Sequence, residues 1–414
     1  MDRILKIISF CILAFAMGIV AAAGVWLVLR LISLGTNALW VYLPAAIGTD
    51  SVCTALIYHL AVCLSGGLLI ALWQKRYGLL PDDLEEVIHK VRTTGGYPYD
   101  RLYIIAVAAI LPLIFGGALG PEAGLSGLIA GLCCWIGDRL KYKGDQVAAL
   151  AETGIAAALG VIFGAPFFGI VNNLEPNDAT EKYREKLVSK KTRILIYCFG
   201  VAGAVLSFEL LGRIFQSPGG LPRFSAQHAV GIDQWKWFVP LLAIGIAFSL
   251  YYQYVARFTR ILRKKLGDHV IVSCLIAGAA VAVFGFFIPL TMFSGEEELH
   301  ELIGTWETSS PIVLILIAMM KLLLVNICIS FGWKGGSIFP IIYSSALLGY
   351  SFALITGMDG TFAVSILTAA LYAYMLRRPA TVIAVLLLCF PVTYILPLGI
   401  TAIVASRIPS PIKK

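Results

Sequence analysis

Apolar residues run in long blocks along this chain, and polar residues stand mostly between them. Blocks at 4–33, 51–74, 102–119, 121–140, 146–163, 165–174, 193–215, 236–260, 269–290, 310–331, 337–356, 361–376 and 379–406 each read as helix. A bilayer core about 30 Å thick needs roughly 20 apolar residues for one straight crossing. Several blocks are shorter than that, and several are broken by Gly or Pro. The pattern predicts an all-α polytopic membrane protein with discontinuous, tilted helices. Irregular backbone at membrane depth is tolerated only where protein or a watery cavity satisfies it, so the breaks are the first places to look for chemistry.

Two polar stretches punctuate the pattern. In "LLPDDLEEVIHKVRTTGGYPYD" (79–100), Pro81 followed by Asp82 and Asp83 predicts a helix start, and Gly95–Gly96 a stop. The charged stretch "EPNDATEKYREKLVSKKTR" (175–193) predicts a cytoplasmic linker over 176–192, between halves at 1–175 and 193–414 of a single membrane domain, 1–414. Composition strengthens the membrane reading: 59% of residues are hydrophobic and 14% charged, against about half and a quarter in soluble domains. Residues 1–33 are too long for a signal-peptide core and read as the first span.

The net charge of +8 does not point to nucleic acid, because the basic residues cluster beside spans, at 75–76, 182–193 and 257–265. Such clusters predict cytoplasmic loops contacting anionic lipid. Both termini are expected in the cytoplasm and the chain in the plasma (inner) membrane. The loop 216–233 falls outside by the same rule, whereas the acid-rich 295–307 is not fixed by its charge. Of the nine cysteines, Cys11, Cys63, Cys133, Cys134, Cys198, Cys274, Cys328 and Cys389 lie in apolar runs, as packing residues rather than disulfides. No metal or other cofactor is expected.

Two glycine-rich breaks open apolar helices: "GGALGPEAG" (116–124) and "GGSIFP" (335–340). A helix N-terminus presents N–H groups and a partial positive charge, and binds an anion without a full positive charge. Glycines let an ion approach the backbone. Pro121 suits a helix start. Two such ends, one from each half, predict a shared anion site built of amide dipoles, which hold an ion loosely enough to let it pass. Glu122, the acid inside the first break, is itself an anion and fits the place of the ion. Its protonation would free the path, which makes it a gate and a proton carrier. The bland alternative is an N-terminal acid complementing the helix dipole, but an ionisable residue in so apolar a run is functional by default.

At these residues the sequence resembles the CLC family of chloride channels and chloride/proton antiporters. "GALGPEAGLSGLIAGL" (117–132) resembles that family's G-(K/R)-E-G-P helix start, with Glu122 at the gating glutamate. "ETGIAAALGVIFGAPFFGIVNNLE" (152–175), "KLLLVNICISFGWKGGSIFPIIYSSALLG" (321–349) and "RRPATVIAVLLLCFPVTYILPLGITAIVAS" (377–406) are similar to three further segments, in family order. The resemblance implies two inverted repeats, a homodimer with one pore per subunit, and anion coordination by backbone amides. It places the amides of Ala123 and Gly124 at the outer site and those of Ser337 and Ile338 at the central one, with Ile338 in the place of the family's aromatic and Phe339 following; Gly120, Gly336 and Phe339 are further candidate anion-binding residues. The family's "GSGIP" falls on "TGGYP" (94–98), where Gly95 replaces a serine hydroxyl, and the family's late tyrosine has no match before Lys414. The family's inner proton-carrying acid falls on Pro176. Either Glu175 substitutes for it or proton coupling is lost, and Glu152 is a further candidate proton site.

The expected function is therefore transmembrane transport of an inorganic anion, chloride first, along an amide-lined pore gated by Glu122, with exchange for protons. Alternatives are a passive anion channel and a fluoride- or nitrate-selective relative. "GLSG" (124–127) also fits the G-x-S-G of rhomboid intramembrane proteases, although small residues at Gly124, Ser126 and Gly127 equally read as helix packing. Lys321, inside an apolar run, either attracts anions, snorkels, or pairs with an acid. His59 reads as a hydrogen-bonded packing residue, and Glu209 as snorkelling.

Overall fold

The computed structural model describes residues 2–49, 51–94, 96–139, 190–215, 223–225 and 231–411, with five more between 153 and 160. In chain order the described helices are α1 (Asp2–Asn37), a π turn (Ala38–Tyr42), α2 (Leu43–Ile47), α3 (Val52–Tyr77), α4 (Leu84–Thr94), α5 (Leu102–Ile114) and α6 (Glu122–Arg139). There follow α7 (Lys190–Phe215), α8 (Phe238–Lys265), α9 (Val270–Phe287), α10 (Glu296–Thr305), α11 (Pro311–Ser330), α12 (Ile338–Thr356), α13 (Gly360–Leu376), α14 (Pro379–Cys389) and α15 (Ile395–Arg407). Seven helices among the described residues are long and apolar enough to cross a membrane. The helix expected between Pro81–Asp83 and Gly95–Gly96 is α4, and the two glycine-rich breaks precede α6 and α12 as the pattern put them. The expected block 379–406 is in fact two helices, because Pro391 removes a backbone donor and the residue before it, Phe390, is extended.

The chain divides into two compact units. The first comprises Met1–Leu34, Leu80–Ile110 and Pro121–Leu221. Within it α1 and α7 cross through glycine: a methyl group at Gly18 would lie 1.8 Å from the Gly200 carbonyl oxygen, and one at Gly203 would lie 2.2 Å from that of Phe15. With little hydrophobic drive between helices in lipid, such close backbone approach is what van der Waals packing exploits. The segment before α5 seats α6 in the same unit. The Tyr97 ring and Leu102 lie over Gly127 and Gly131, the Tyr97 N–H donates to Cys134 Sγ at 3.2 Å, and its hydroxyl donates to Asp82 at 2.8 Å. Lys90 of α4 closes the group with a 2.6 Å bond to the same carboxylate. Burial, with Asp82 adding to it, pushes the Tyr97 phenol well above its ordinary range.

The second unit comprises Gly35–Leu79, Leu111–Gly120 and Pro222–Lys414. Its α3 and α9 interlock through Gly67, which faces the Cys274 carbonyl, and Gly278, which faces that of Cys63. At the centre stands α13, buried from Gly360 to Tyr374. Asp359 caps it by accepting from the Phe362 N–H at 2.6 Å, and the Tyr394 hydroxyl donates to the same oxygen at 3.1 Å. The acidic stretch forms α10, whose first turn holds Glu296, Glu297 and Glu298, where the helix dipole favours them.

Candidate functional site

Glu122 is the first residue of α6 and is 1% exposed. The Leu125 N–H donates to the Pro121 carbonyl at 3.0 Å, so Pro121 serves as the cap before the helix, one residue earlier than a first-turn proline. Ala123 and Gly124 complete the first turn and are buried. The helix closes against its neighbours at this turn, since a methyl at Gly124 would stand 2.2 Å from Ala109 Cβ. Ser126 is wholly buried and donates its hydroxyl to the Ala123 carbonyl at 2.7 Å. The "GLSG" stretch is thus a packing face in the structure.

The second break opens α12. Ser337 takes the N-cap position in a helical conformation and its side chain makes no capping bond. Ile338 and Phe339 begin the helix, and Phe339 is buried. The two breaks meet: Gly120 donates to the Gly336 carbonyl at 2.8 Å and Gly336 donates back at 2.8 Å, an isolated antiparallel bridge. Neighbouring glycines allow it, because a methyl at Gly335 would stand 2.8 Å from Leu119 Cβ and one at Gly117 would stand 3.0 Å from the Trp333 ring.

Each arm of the bridge is held from behind. On the 331–336 side, Trp333 is fully buried and its indole N–H donates to the Cys274 carbonyl at 3.0 Å. Gln74 of α3 donates to the Gly332 carbonyl, and Ser273 donates to that of Phe331 at 3.0 Å. On the 115–120 side, the Phe293 N–H donates to the Gly116 carbonyl at 3.3 Å, and the Trp40 indole donates to that of Ile114 at 2.9 Å. Trp40 belongs to an aromatic group with Tyr58, His59 and Phe293. His59 also sits against Phe286, with Nδ1 2.8 Å from the Ala55 carbonyl, as a packing histidine would.

Lys321 does not snorkel: it is fully buried. Its ammonium donates to the carbonyls of Leu290 at 3.5 Å, Phe293 at 3.0 Å and Met292, and lies 5.3 Å from the centre of the Tyr343 ring. Phe293 holds a left-handed backbone, φ 56°, rare for an aromatic residue. Lys321 therefore pins the turn that supports Gly116. Glu298 is the acid that feels its charge: burial raises the Glu298 carboxyl above its usual range, and Lys321 draws it partly back.

Not all expected residues can be placed. Gly95, Glu152 and Glu175 lie outside the described residues. Glu209 is exposed and pairs with Arg213 at 3.7 Å. Among the described residues, no group of three or more His, Cys, Asp or Glu side chains is placed to hold a metal ion. One polar side chain at the second helix start carries no signal in the sequence: Tyr372 of α13 donates its hydroxyl to the Ile338 carbonyl. In an apolar run a tyrosine looks like any packing aromatic, so only the three-dimensional contact marks it out.

An α-helical integral membrane protein with discontinuous helices and glycine-rich helix starts is the class these features define. Residues 62–410 match the family model described as voltage gated chloride channel, and the chain belongs to that family. The same fold occurs in a slow cyanobacterial Cl−/H+ antiporter, with 17% identity and a TM-score of 0.78 over 97% of this chain and 93% of that one. A CLC-type fluoride/proton antiporter matches with 16% identity and a TM-score of 0.71 over 98% and 96%. A eukaryotic CLC transporter matches with 15% identity and a TM-score of 0.69 over 97% and 72%. Identities this low speak to the fold alone.

Proposed function

We propose that this protein carries an inorganic anion, chloride first, across the membrane past the first turns of α6 and α12, with Glu122 as its gate. The observation that carries this reading is the Gly120–Gly336 bridge, which holds the glycine break before α12, and Glu122 follows Gly120 by two residues in the chain. Helix N-termini stabilise an anion through amide dipoles. Amides at Ala123 and Gly124 and at Ser337, Ile338 and Phe339 are the donors in this proposal, and the glycines at 120 and 336 leave the backbone open to an ion. Glu122 occupies the anion's place when ionised and leaves it when protonated, so anion movement is exchanged for protons. Glu175 and Glu152 are the inner acids that would relay those protons.

The working assembly in this reading is a homodimer in the plasma (inner) membrane, both termini cytoplasmic. Each subunit is one transport domain with halves at 1–175 and 193–414 joined by the 176–192 linker. Similarity in fold to a Cl−/H+ antiporter and a fluoride/proton antiporter supports exchange and leaves the anion to be read by experiment.

The test is purified protein in liposomes, with anion flux and proton uptake recorded together for chloride, nitrate and fluoride. Coupled movement in the wild type and uncoupled anion flux in Glu122→Gln are expected. Anion flux without proton movement in the wild type makes the protein a passive channel, and no flux of any anion removes the transport reading.

A further inference from the structure

We infer that Tyr372 is a positioning residue for the anion end of α12. This rests on the proposed function, and it concerns a side chain that no sequence motif of the chain singles out. Ile338 is the first residue of α12, and the Tyr372 hydroxyl donates to its carbonyl. A carbonyl oxygen has two lone pairs, so this bond adds to the helical one from residue 342 rather than replacing it.

The consequence follows from the rigid peptide unit. The Ile338 carbonyl and the Phe339 N–H belong to one plane and point in opposite directions. Fixing the carbonyl oxygen from behind fixes the direction in which the Phe339 N–H points, toward the open end of the helix. Hydrogen bonding to the oxygen also polarises the same amide and makes its N–H a stronger donor. Ser337 makes no side-chain cap, so the turn takes this orientation from α13 and not from its own N-cap.

Tyr372 is placed to act as a firm reference point. It is 5% exposed, and the end of α13 that carries it is tied down beyond it. Tyr374 donates to the Pro409 carbonyl at 3.2 Å, and Arg377, which closes the helix in a left-handed conformation, donates to the Ser406 carbonyl at 2.9 Å and to that of Ile408. A clamp whose own backbone moved would convey no orientation, and this one is held at both ends of the last turn.

The experiment compares wild type, Tyr372→Phe and 3-fluorotyrosine at position 372, all as the full chain in liposomes, reading the half-saturating chloride concentration and the maximal turnover separately. Phenylalanine keeps the ring and its packing, and fluorotyrosine keeps the hydroxyl as a stronger donor. Tyr372→Phe is expected to raise the half-saturating concentration roughly fivefold, the worth of one neutral hydrogen bond, with a smaller change in turnover. Fluorotyrosine is expected to shift it the other way. If Tyr372→Phe lowers only turnover or thermal stability and leaves half-saturation unchanged, or if both variants shift it in the same direction, the positioning role is wrong. Absence of chloride flux in the wild type would instead remove the transport reading on which the inference rests.

Discussion

Gly120 and Gly336 exchange both backbone hydrogen bonds, each 2.8 Å long, although more than two hundred residues separate them in the chain. The pair is a single antiparallel bridge rather than a strand, and a side chain close to it is excluded by contact: Leu119 fills the space beside Gly335. Gly335→Ala is therefore expected to push Leu119 aside and loosen the bridge, at a cost of about 1–3 kcal/mol, as overpacking commonly brings. Thermal unfolding in detergent and anion flux in liposomes should fall together. A stable protein with wild-type flux would show that the bridge is not needed to hold the helix starts.

Lys321 is a cation placed on backbone carbonyls, and its exchange for methionine separates support from ion attraction. Lys321→Met leaves the Met292 and Phe293 carbonyls without their donor, at an expected cost of about 2 kcal/mol. The expected signature is a lower unfolding midpoint. An unchanged midpoint with a higher half-saturating anion concentration, relieved by salt, would return Lys321 to the role of anion attractor.

Glu298 gives a pH dependence whose sign can be worked out. Burial raises its folded-state carboxyl above the ordinary 4.5, with Lys321 opposing the shift. An acid with a raised folded pKa contributes its full stability below the unfolded value and loses it as pH climbs through the folded one. Glu298→Gln, which cannot ionise, should match the wild type near pH 4 and exceed it in unfolding midpoint as pH rises from about 4.5 toward neutrality. A gap that stays constant with pH would mean that Glu298 ionises as freely in the fold as in the unfolded chain.

Much of this architecture can be read in the residues. The apolar blocks mark the spans, Pro121 and the glycines before it mark where α6 begins, and "GGSIFP" marks the start of α12, because Gly and Pro act locally on the backbone. Pro391 carried the same kind of signal for the break after α14, but the apolar run around it hides the interruption. The Gly120–Gly336 bridge, the carbonyls that receive Lys321, and the Tyr372 bond to Ile338 are different in kind. Each joins residues distant in the chain, and neither hydrophobic period nor local propensity encodes which distant backbone group a donor will meet. The π turn at 38–42 was also invisible, since "ALWVY" suits an ordinary helix equally well.

A buried hydrogen-bonded group seats α6. Tyr97 lies across Gly127 and hands its hydroxyl to Asp82, which Lys90 also grips. The Asp82 side chain is only 12% exposed, so each bond to it is shielded from water and worth more than a surface contact. Tyr97→Phe should cost about 1.5–3 kcal/mol, the range for a hydrogen bond to a charged group. Asp82→Ala should cost more, because it strands the buried hydroxyl and releases Lys90. The double variant should cost less than the sum of the two, with a coupling of about 0.5–3 kcal/mol. Strict additivity in detergent unfolding would show that Tyr97 holds α6 by its ring alone, and that the hydroxyl is incidental to how the helix bearing Glu122 is seated.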